Sequence, residues 1–410
     1  MTKDILVIGA GISGITAAVE AAETGYSVIL VEKNPYLGGR VVQMNRYFPK
    51  LCPPYCGMEI NLKRIRTNSK IRHYTLSEVQ GITGNEGNYE VTIKVNPRFV
   101  NEKCTACGEC SLVCPSERRD EFNLGIGTTK AAYLPHEMAF PYRYAIDAAA
   151  CSKCEACVDA CKYGAINLQM QPETIKLNVA SIVMATGWQP YDAGKIDNLG
   201  FGKYKDVITN MMMERLAAPN GQTQGKILCP SDQKEPKKVA FVQCAGSRDE
   251  NHLPYCSAVC CLASLKQITY VRENIPDSEV YMFYIDVRTP GKYEEFYTRV
   301  KGDDKVHFIK GKVADVQQDG NGLTVVAEDI LSGNKARVTV DMVVLACGMQ
   351  PTLKDSPSVG IKTDENGFID HNQNKGIYAA GVSRKPQDVS SSVQDATGCS
   401  LKAIQSVVRG

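Results

Sequence analysis

Eight cysteines in two tight runs fix what the stretch after residue 100 can become. Cys104, Cys107, Cys110 and Cys114 read C-x2-C-x2-C-x3-C, closed by Pro115. Cys151, Cys154, Cys157 and Cys161 repeat the spacing, with Lys162 in the proline's place. Three thiolates spaced by two residues wrap one face of a cubane, and the fourth points away to a second one. The spacing predicts one [4Fe-4S] cluster on Cys104, Cys107, Cys110 and Cys161, and another on Cys151, Cys154, Cys157 and Cys114. A pair of zinc knuckles is the competing reading, but zinc needs only four thiolates per ion and does not explain an x2-x2-x3 run that occurs twice. Disulfides suit exported chains. This sequence starts MTKDILVIGAG, without a charged n-region, apolar h-region or cleavage site.

The first forty residues carry a second signal. An apolar run at 5–8 leads into Gly9-Ala10-Gly11-Ile12-Ser13-Gly14, then a helical pattern to about Thr24 with Gly25 as its stop. A strand at 27–31 ends at Glu32. Strand, G-x-G-x-x-G, helix, strand and acid form the dinucleotide fingerprint in its proper context. Gly9 makes the tight turn, Gly11 admits a pyrophosphate, Gly14 allows close helix–strand packing, and Glu32 accepts from ribose hydroxyls. The helix N-terminus favours the phosphate charge.

Three features favour FAD over NAD. Gly38-Gly39-Arg40 follows the acid, Ile182-Val183-Met184-Ala185-Thr186-Gly187 is similar to the crossover strand of two-domain flavoproteins, and Gly376-Ile377-Tyr378-Ala379-Ala380-Gly381 is similar to their flavin-side strand. That group usually has Asp after the last glycine; here it is Val382. A helix is expected at about 391–407. The expected FAD contacts are Gly9, Gly11, Ile12, Ser13, Gly14, Glu32, Lys33, Gly39, Arg40, Val79, Ala185, Thr186, Gly187, Gly381, Val382 and Ser391.

The middle of the chain keeps a second dinucleotide-type architecture without its signature. The apolar run 238–242 is followed by Gln243-Cys244-Ala245-Gly246-Ser247-Arg248-Asp249 and contains no G-x-G-x-x-G, so backbone cannot approach a nicotinamide pyrophosphate in the usual way. A return strand is expected at 342–345. Cys244, Cys256, Cys260 and Cys261 gather in this stretch. They suit a third iron–sulfur cluster, a redox-active disulfide (Cys256 with Cys260) or inert buried thiols. The neighbours Cys260 and Cys261 must point in different directions. Cys52 and Cys56 form a further pair, as ligands, a thiol pair near the flavin or packing residues. Cys229, Cys347 and Cys399 are expected to be structural. His252 is expected to pack or face solvent rather than to ligate, and no Ser/His/Asp or paired-carboxylate constellation stands out.

The expected fold class is α/β: a thioredoxin-reductase-like flavoprotein with two dinucleotide-binding domains and an inserted α+β two-cluster ferredoxin of bacterial type. The expected boundaries are 1–97 for the first part of the FAD domain, 98–170 for the insert, 171–190 for the crossover, 191–335 for the degenerate NAD-type domain and 336–410 for the end of the FAD domain. Thirty-six residues separate Cys114 from Cys151, more than a minimal ferredoxin needs. They suit a packing arm or a docking loop. A net charge of +2 implies no nucleic-acid partner. No apolar run approaches a membrane span, so a cytoplasmic location is expected, peripheral at the inner membrane face at most.

On Asn96-Pro97-Arg98-Phe99-Val100, the inserted cysteine runs, Gln243-Cys244-Ala245-Gly246-Ser247-Arg248-Asp249 and Tyr255-Cys256-Ser257 through Cys260-Cys261, the chain resembles the flavin subunit of heterodisulfide reductase, the HdrA family. The resemblance covers nearly the whole chain. Its compact form resembles QmoA, the flavin subunit of the quinone-interacting membrane-bound oxidoreductase, Qmo, of sulfate reducers. That resemblance implies FAD, two [4Fe-4S] clusters with or without a third, and QmoB-like and QmoC-like partners, the latter spanning the membrane. It also implies a role between menaquinol and adenylylsulfate reductase. Two other functions are carried beside it. One is a self-contained NAD(P)H-dependent iron–sulfur flavoenzyme reducing a small enone or disulfide. The other is a scaffold whose cofactors serve assembly.

Overall fold

A computed structural model describes residues 4–320, 322–355, 360–370 and 373–409. The chain forms two compact units, one of Met1–Val42, Tyr55–Trp188 and Pro351–Gly410, the other of Gln43–Pro54 and Gln189–Gln350.

The first unit is built on a five-stranded parallel sheet. Its order is Ile377–Ala379, Ser181–Met184, Ile5–Ile8, Val28–Val31, Ile71–Tyr74. The three central strands are buried at every position, as continuous apolar runs covered on both faces must be. Helices Ile12–Glu23 and Val389–Arg409 pack together beside this sheet. An antiparallel sheet of Ser77–Asn85, Asn88–Val95 and Glu173–Val179 supplies Tyr89, Val91, Ile93, Leu177 and Val179 to the core shared with Leu6, Ile29 and Ile182. The insert leaves this sheet at Val95 and returns at Glu173, and those two residues are cross-strand partners. Ends that meet this closely let an inserted segment fold as its own cluster without disturbing the host sheet.

The second unit repeats the theme. Its parallel sheet runs Val207–Thr209, Met342–Cys347, Lys238–Ala245, Glu279–Tyr284, Val306–Lys310. Helices Asn210–Ala217, Cys260–Asn274 and Tyr293–Lys301 accompany it, with an antiparallel sheet of Val313–Asp319, Gly322–Glu328 and Lys335–Val340. Met342–Cys347 is locked in register between Val207–Thr209 and Lys238–Ala245, so the chain returns to the first unit at Pro351 rather than at 336. The segment Gln43–Pro54 also belongs here, held by Arg215 Nη1 donating to Gln43 O at 3.3 Å and Lys266 Nζ donating to Arg46 O at 2.7 Å. Among the described residues, no helix is long and apolar enough to cross a membrane.

Candidate functional site

At Gly9, Gly14, Gly38 and Gly39 the dinucleotide turn leaves no room for a Cβ. Gly9 has φ +98°, and a Cβ there would sit 2.3 Å from Ala185 O. A Cβ on Gly14 would lie 1.8 Å from Gly9 O. Gly11 and Gly38 form a bridge, and Gly39, at φ +60°, would place a Cβ 2.7 Å from Gly11 Cα. Two bare backbones therefore face each other where a pyrophosphate would lie, at the start of helix Ile12–Glu23. Glu32 is buried; its Oε2 accepts from Ala10 N–H at 2.7 Å and its Oε1 from Asn34 N–H at 2.9 Å and Nδ2 at 2.8 Å. Burial pushes its carboxyl above the usual carboxylate range, against the pull of those hydrogen bonds. Burial lowers the Arg40 guanidinium, and the nearby Tyr36 and Glu32 oppose that shift.

The remaining expected contacts distribute unevenly around this turn. The Ala185 methyl lies against the Cβ direction of Gly14, and Thr186 Oγ1 is buried with no hydrogen-bond partner among the described residues, a donor awaiting an acceptor. Gly187 and Gly381 have φ of +67° and +70°. A Cβ on Gly381 would strike Ser13 Oγ at 2.1 Å. Val382 is buried, Ser391 is exposed in the first turn of the C-terminal helix, and Val79 lies at a strand irregularity. Lys33 is an exposed partner of Glu78 at 3.8 Å. A carboxylate from the last helix reaches this turn: Asp395 Oδ2 accepts from Gly381 N–H at 2.8 Å and its Oδ1 from Arg384 at 2.9 Å. Nothing in the motif announces Asp395, because it arrives from the following helix. Bare glycine backbones, a buried acid after the second strand and the orphan Thr186 hydroxyl fit what a flavin dinucleotide would need.

The insert gives its two cysteine runs one local design. Ala106 and Lys153, at φ +56° and +57°, donate their N–H groups to Cys104 Sγ and Cys151 Sγ at 3.4 Å each. Gly108 and Glu155, both left-handed, then open helices Glu109–Leu112 and Ala156–Ala160, which carry Cys110 and Cys157 and touch each other. Ala165 N–H donates to Cys161 Sγ at 3.3 Å. Cys104, Cys110, Cys114, Cys151, Cys157 and Cys161 share one apolar cluster with Val100, Ile146 and Ile166, while Cys107 and Cys154 are exposed. The fourth cysteine of the first run stands near the second run. Ser116 Oγ donates to Ser152 Oγ at 3.1 Å beside Cys114 and Cys151. Burial raises the Cys157 thiol, and the nearby Cys151 and Cys114 add to that shift. At the far end of the second run, Asn101 N–H donates to Ala165 O at 2.8 Å, which draws the segment after Cys161 back to the start of the first. Burial pushes the Cys110 thiol up to about 12, with Cys104 and Cys157 adding to it. Among the described residues, no three His, Cys, Asp or Glu side chains converge as a single-ion site. Backbone N–H groups aimed at sulfur and a dry surround are what a cubane's thiolates use.

In the second unit, the strand Lys238–Ala245 ends in a different loop. Cys244 sits at φ +58°, and a Cβ on Gly246 would meet the Tyr191 ring at 2.5 Å. Ser247 and Ser257 hydroxyls pair at 3.0 Å, Met349 N–H donates to Ser257 Oγ at 2.8 Å, and Arg248 N–H donates to Tyr255 O at 3.0 Å. Ala258, at φ +63°, donates its N–H to Cys256 Sγ at 3.4 Å, the arrangement seen twice in the insert. Cys260 and Cys261 open helix Cys260–Asn274. Their thiols diverge, one to Cys347 O at 3.8 Å and the other to Asp286 O at 3.7 Å. Burial pushes Cys244 up to about 11, with Cys261 and Cys256 adding and Arg248 opposing. Burial raises Cys260 well above the usual thiol range, with Cys244, Cys261 and Cys256 adding. His252 Nδ1 pairs with Tyr191 Oη at 2.9 Å. Cys229, Cys347 and Cys399 are buried, and Cys52 and Cys56 are exposed.

One buried network in this unit has no sequence signal. Lys266 Nζ lies 3.0 Å from Glu214 Oε1, their side chains 6% and 3% exposed. Glu214 also accepts from Gln267 Nε2 at 2.7 Å, Tyr270 Oη at 3.2 Å and Asn45 N–H at 3.0 Å. Removing one partner strands the other charge away from water. Glu214→Ala is expected to cost about 3–5 kcal/mol in chemical unfolding. Glu273→Ala, which removes the half-exposed partner of Arg46, is expected to cost under about 1 kcal/mol.

Known proteins resemble this chain along the same lines. Residues 4–66, which contain the glycine turn, match the family of FAD dependent oxidoreductases. The chain is 37% identical over 423 residues to the A subunit of the H2:CoB-CoM heterodisulfide,ferredoxin reductase of Methanothermobacter marburgensis, covering 99% of this chain and 64% of that one. It is 39% identical over 417 residues to the iron-sulfur A subunit of the CoB-CoM heterodisulfide reductase of Methanocaldococcus jannaschii, covering 97% and 63%. Thioredoxin reductase of T. acidophilum superposes with a TM-score of 0.56 at 15% identity, covering 99% of both chains, which shows the two-dinucleotide-domain fold. The chain thus spans a little under two thirds of the length of its curated relatives. Residues 4–66 thus carry the pattern of FAD dependent oxidoreductases, and nearly all of the chain is similar in sequence to the A subunits of heterodisulfide reductases.

Proposed function

We propose that this chain is the electron-transfer FAD and iron–sulfur subunit of a multisubunit oxidoreductase of the heterodisulfide reductase A type. The observation that carries the proposal is a substitution of sites. The turn that would seat a nicotinamide dinucleotide in the second unit is a cysteine loop packed by Ser247, Ser257 and Tyr191, while the flavin turn of the first unit is intact and shares its unit with a two-run cysteine insert. FAD exchanges electrons in pairs or singly, and each cubane carries one. Gly9, Gly11, Gly14, Glu32, Gly39 and Thr186 would hold the flavin nucleotide. Cys104, Cys107, Cys110 and Cys161 would hold one cluster, and Cys151, Cys154, Cys157 and Cys114 the other. Cys244, Cys256, Cys260 and Cys261 would hold a third. The N–H groups of Ala106, Lys153, Ala165 and Ala258 would stabilise negative charge on the sulfurs and so help set the potentials.

The finer reading is the QmoA role in a Qmo-type complex, with QmoB-like and QmoC-like partners, passing electrons between menaquinol and adenylylsulfate reductase. It rests on the domain content: one flavin fold, one two-run insert and one further cysteine group. In that setting the chain is cytoplasmic and meets the membrane only through a partner.

An anaerobic redox titration followed by electron paramagnetic resonance, with and without NADH and NADPH, tests the proposal. The expected result is reduced cubane signals and a flavin that neither nicotinamide bleaches at micromolar concentration. Rapid bleaching by either would instead support the self-contained flavoenzyme.

A further inference from the structure

The loop between Glu32 and Gly39 is held from two sides, and one of them is the insert. Gly38 N–H donates to Ala10 O of the fingerprint turn at 2.8 Å. The adjacent Leu37 N–H donates to Phe140 O, from the long segment between the cysteine runs, at 2.9 Å. Tyr36 meets two rings of the same segment edge-on, Phe122 at 5.7 Å and His136 at 4.9 Å, and those two stack on each other at 4.7 Å. All three are closed to solvent, at 8%, 7% and 7% exposed. Arg98 completes the fastening. Buried at the entrance of the insert, it donates to Pro35 O and to Thr75 Oγ1 at 3.0 Å on the host side, and to Arg143 O at 3.3 Å and Tyr144 O at 3.4 Å on the insert side. Tyr144 in turn packs on the apolar cluster that contains the cysteines.

Loops that line ligands ordinarily come from the least stable parts of a fold. Here three consecutive residues, 35, 36 and 37, are tied to the insert, and the next one is tied to the fingerprint turn. The cysteine cluster, Tyr144, Arg98 and Pro35 form one unbroken set of contacts. We propose that the insert is a strap on the flavin nucleotide: the cubane-loaded insert holds the 34–38 loop closed and thereby sets how tightly FAD is retained. The coupling is reciprocal, because two sites that bias one loop must change each other's affinity by the same factor. FAD release and cluster loss are therefore linked events. This rests on the proposed occupancy of both sites.

The test uses the anaerobically purified holoprotein. FAD release after dilution is followed by recovery of flavin fluorescence in the wild type, in wild type whose clusters are stripped by a chelator and oxidant, in Phe122→Ala and in Phe122→Leu. Stripped wild type and Phe122→Ala are expected to release FAD about tenfold faster, a change of about 1.4 kcal/mol, with Phe122→Leu intermediate. Flavin-depleted wild type is expected to lose its cluster absorbance to the chelator faster than flavin-loaded wild type. A release rate within about twofold of wild type after stripping overturns the strap, and stripped wild type alone decides if Phe122→Ala does not fold. A wild-type protein that retains no flavin or no iron overturns the functional reading itself.

Discussion

Gly14→Ala is expected to yield protein with less than about a tenth of the wild-type flavin, a loss of at least about 1.4 kcal/mol in binding. The added methyl would sit 1.8 Å from Gly9 O and 2.9 Å from Gly9 C, both backbone atoms that no side-chain rotation can move. Gly9 cannot retreat, since it already faces Ala185 O across a gap too small for a Cβ. The helix must therefore lift from the strand, and the facing backbones of Gly11 and Gly39 part with it. Overpacking of this kind costs about 1–3 kcal/mol in stability before the ligand is counted. Gly398→Ala in the C-terminal helix of the same unit is the control, because nothing lies within 4 Å of its Cβ position. There alanine should retain full flavin and add about 0.5–1 kcal/mol of stability. The ratio of acid-released flavin to protein reads both outcomes.

What the sequence makes legible is whatever is local. The fingerprint turn is readable because each of its glycines answers a constraint imposed within thirty residues. The cysteine runs are readable because cubane geometry fixes their spacing. The helix expected to run to about Thr24 and stop at Gly25 does so, with Thr24 as its cap and Gly25 following at φ +103°. Features decided by distant chain are not readable. Asp395 reaches Gly381 only because the last helix folds back over it. The segment Gln43–Pro54 leaves the first unit because Arg215 and Lys266, some 170 and 220 residues on, hold its carbonyls. The 36 residues between the cysteine runs look from sequence like an arm or a docking loop. Their apolar residues Phe122 and Ala139 are buried while Tyr142 is 55% exposed, and Phe122 packs on Tyr36, from a loop far earlier in the chain. Glu214 and Lys266 read as ordinary helix-surface residues until tertiary packing closes over them.

Cys256→Ser is expected to remove one cluster and spare the flavin, lowering iron from about twelve to about eight atoms per chain. Within fifteen residues, Cys244, Arg248 and Ala258 all adopt left-handed backbone, at φ +58°, +57° and +63°. Non-glycine residues there cost on the order of 1 kcal/mol each and persist where the surroundings over-determine them, often at functional sites. Ala258 supplies the N–H bond to Cys256 Sγ that Ala106 and Lys153 supply to theirs. Cys244, Cys260 and Cys261 lie within one another's electrostatic reach, and burial holds their thiols protonated. These three thiols ionise together only around a cationic centre, so loading releases protons and acidification should strip this cluster. The Cys347 thiol, buried and pushed up to about 12, adds to the shift at Cys260 but is not one of the four proposed ligands, and Cys347→Ala should leave the iron unchanged. A disulfide between Cys256 and Cys260 would instead leave iron constant in both variants, and reduction would free two thiols in Cys347→Ala and none in Cys256→Ser. Inert thiols would change neither, and either result removes the third cluster while leaving the two-run insert and the flavin turn intact.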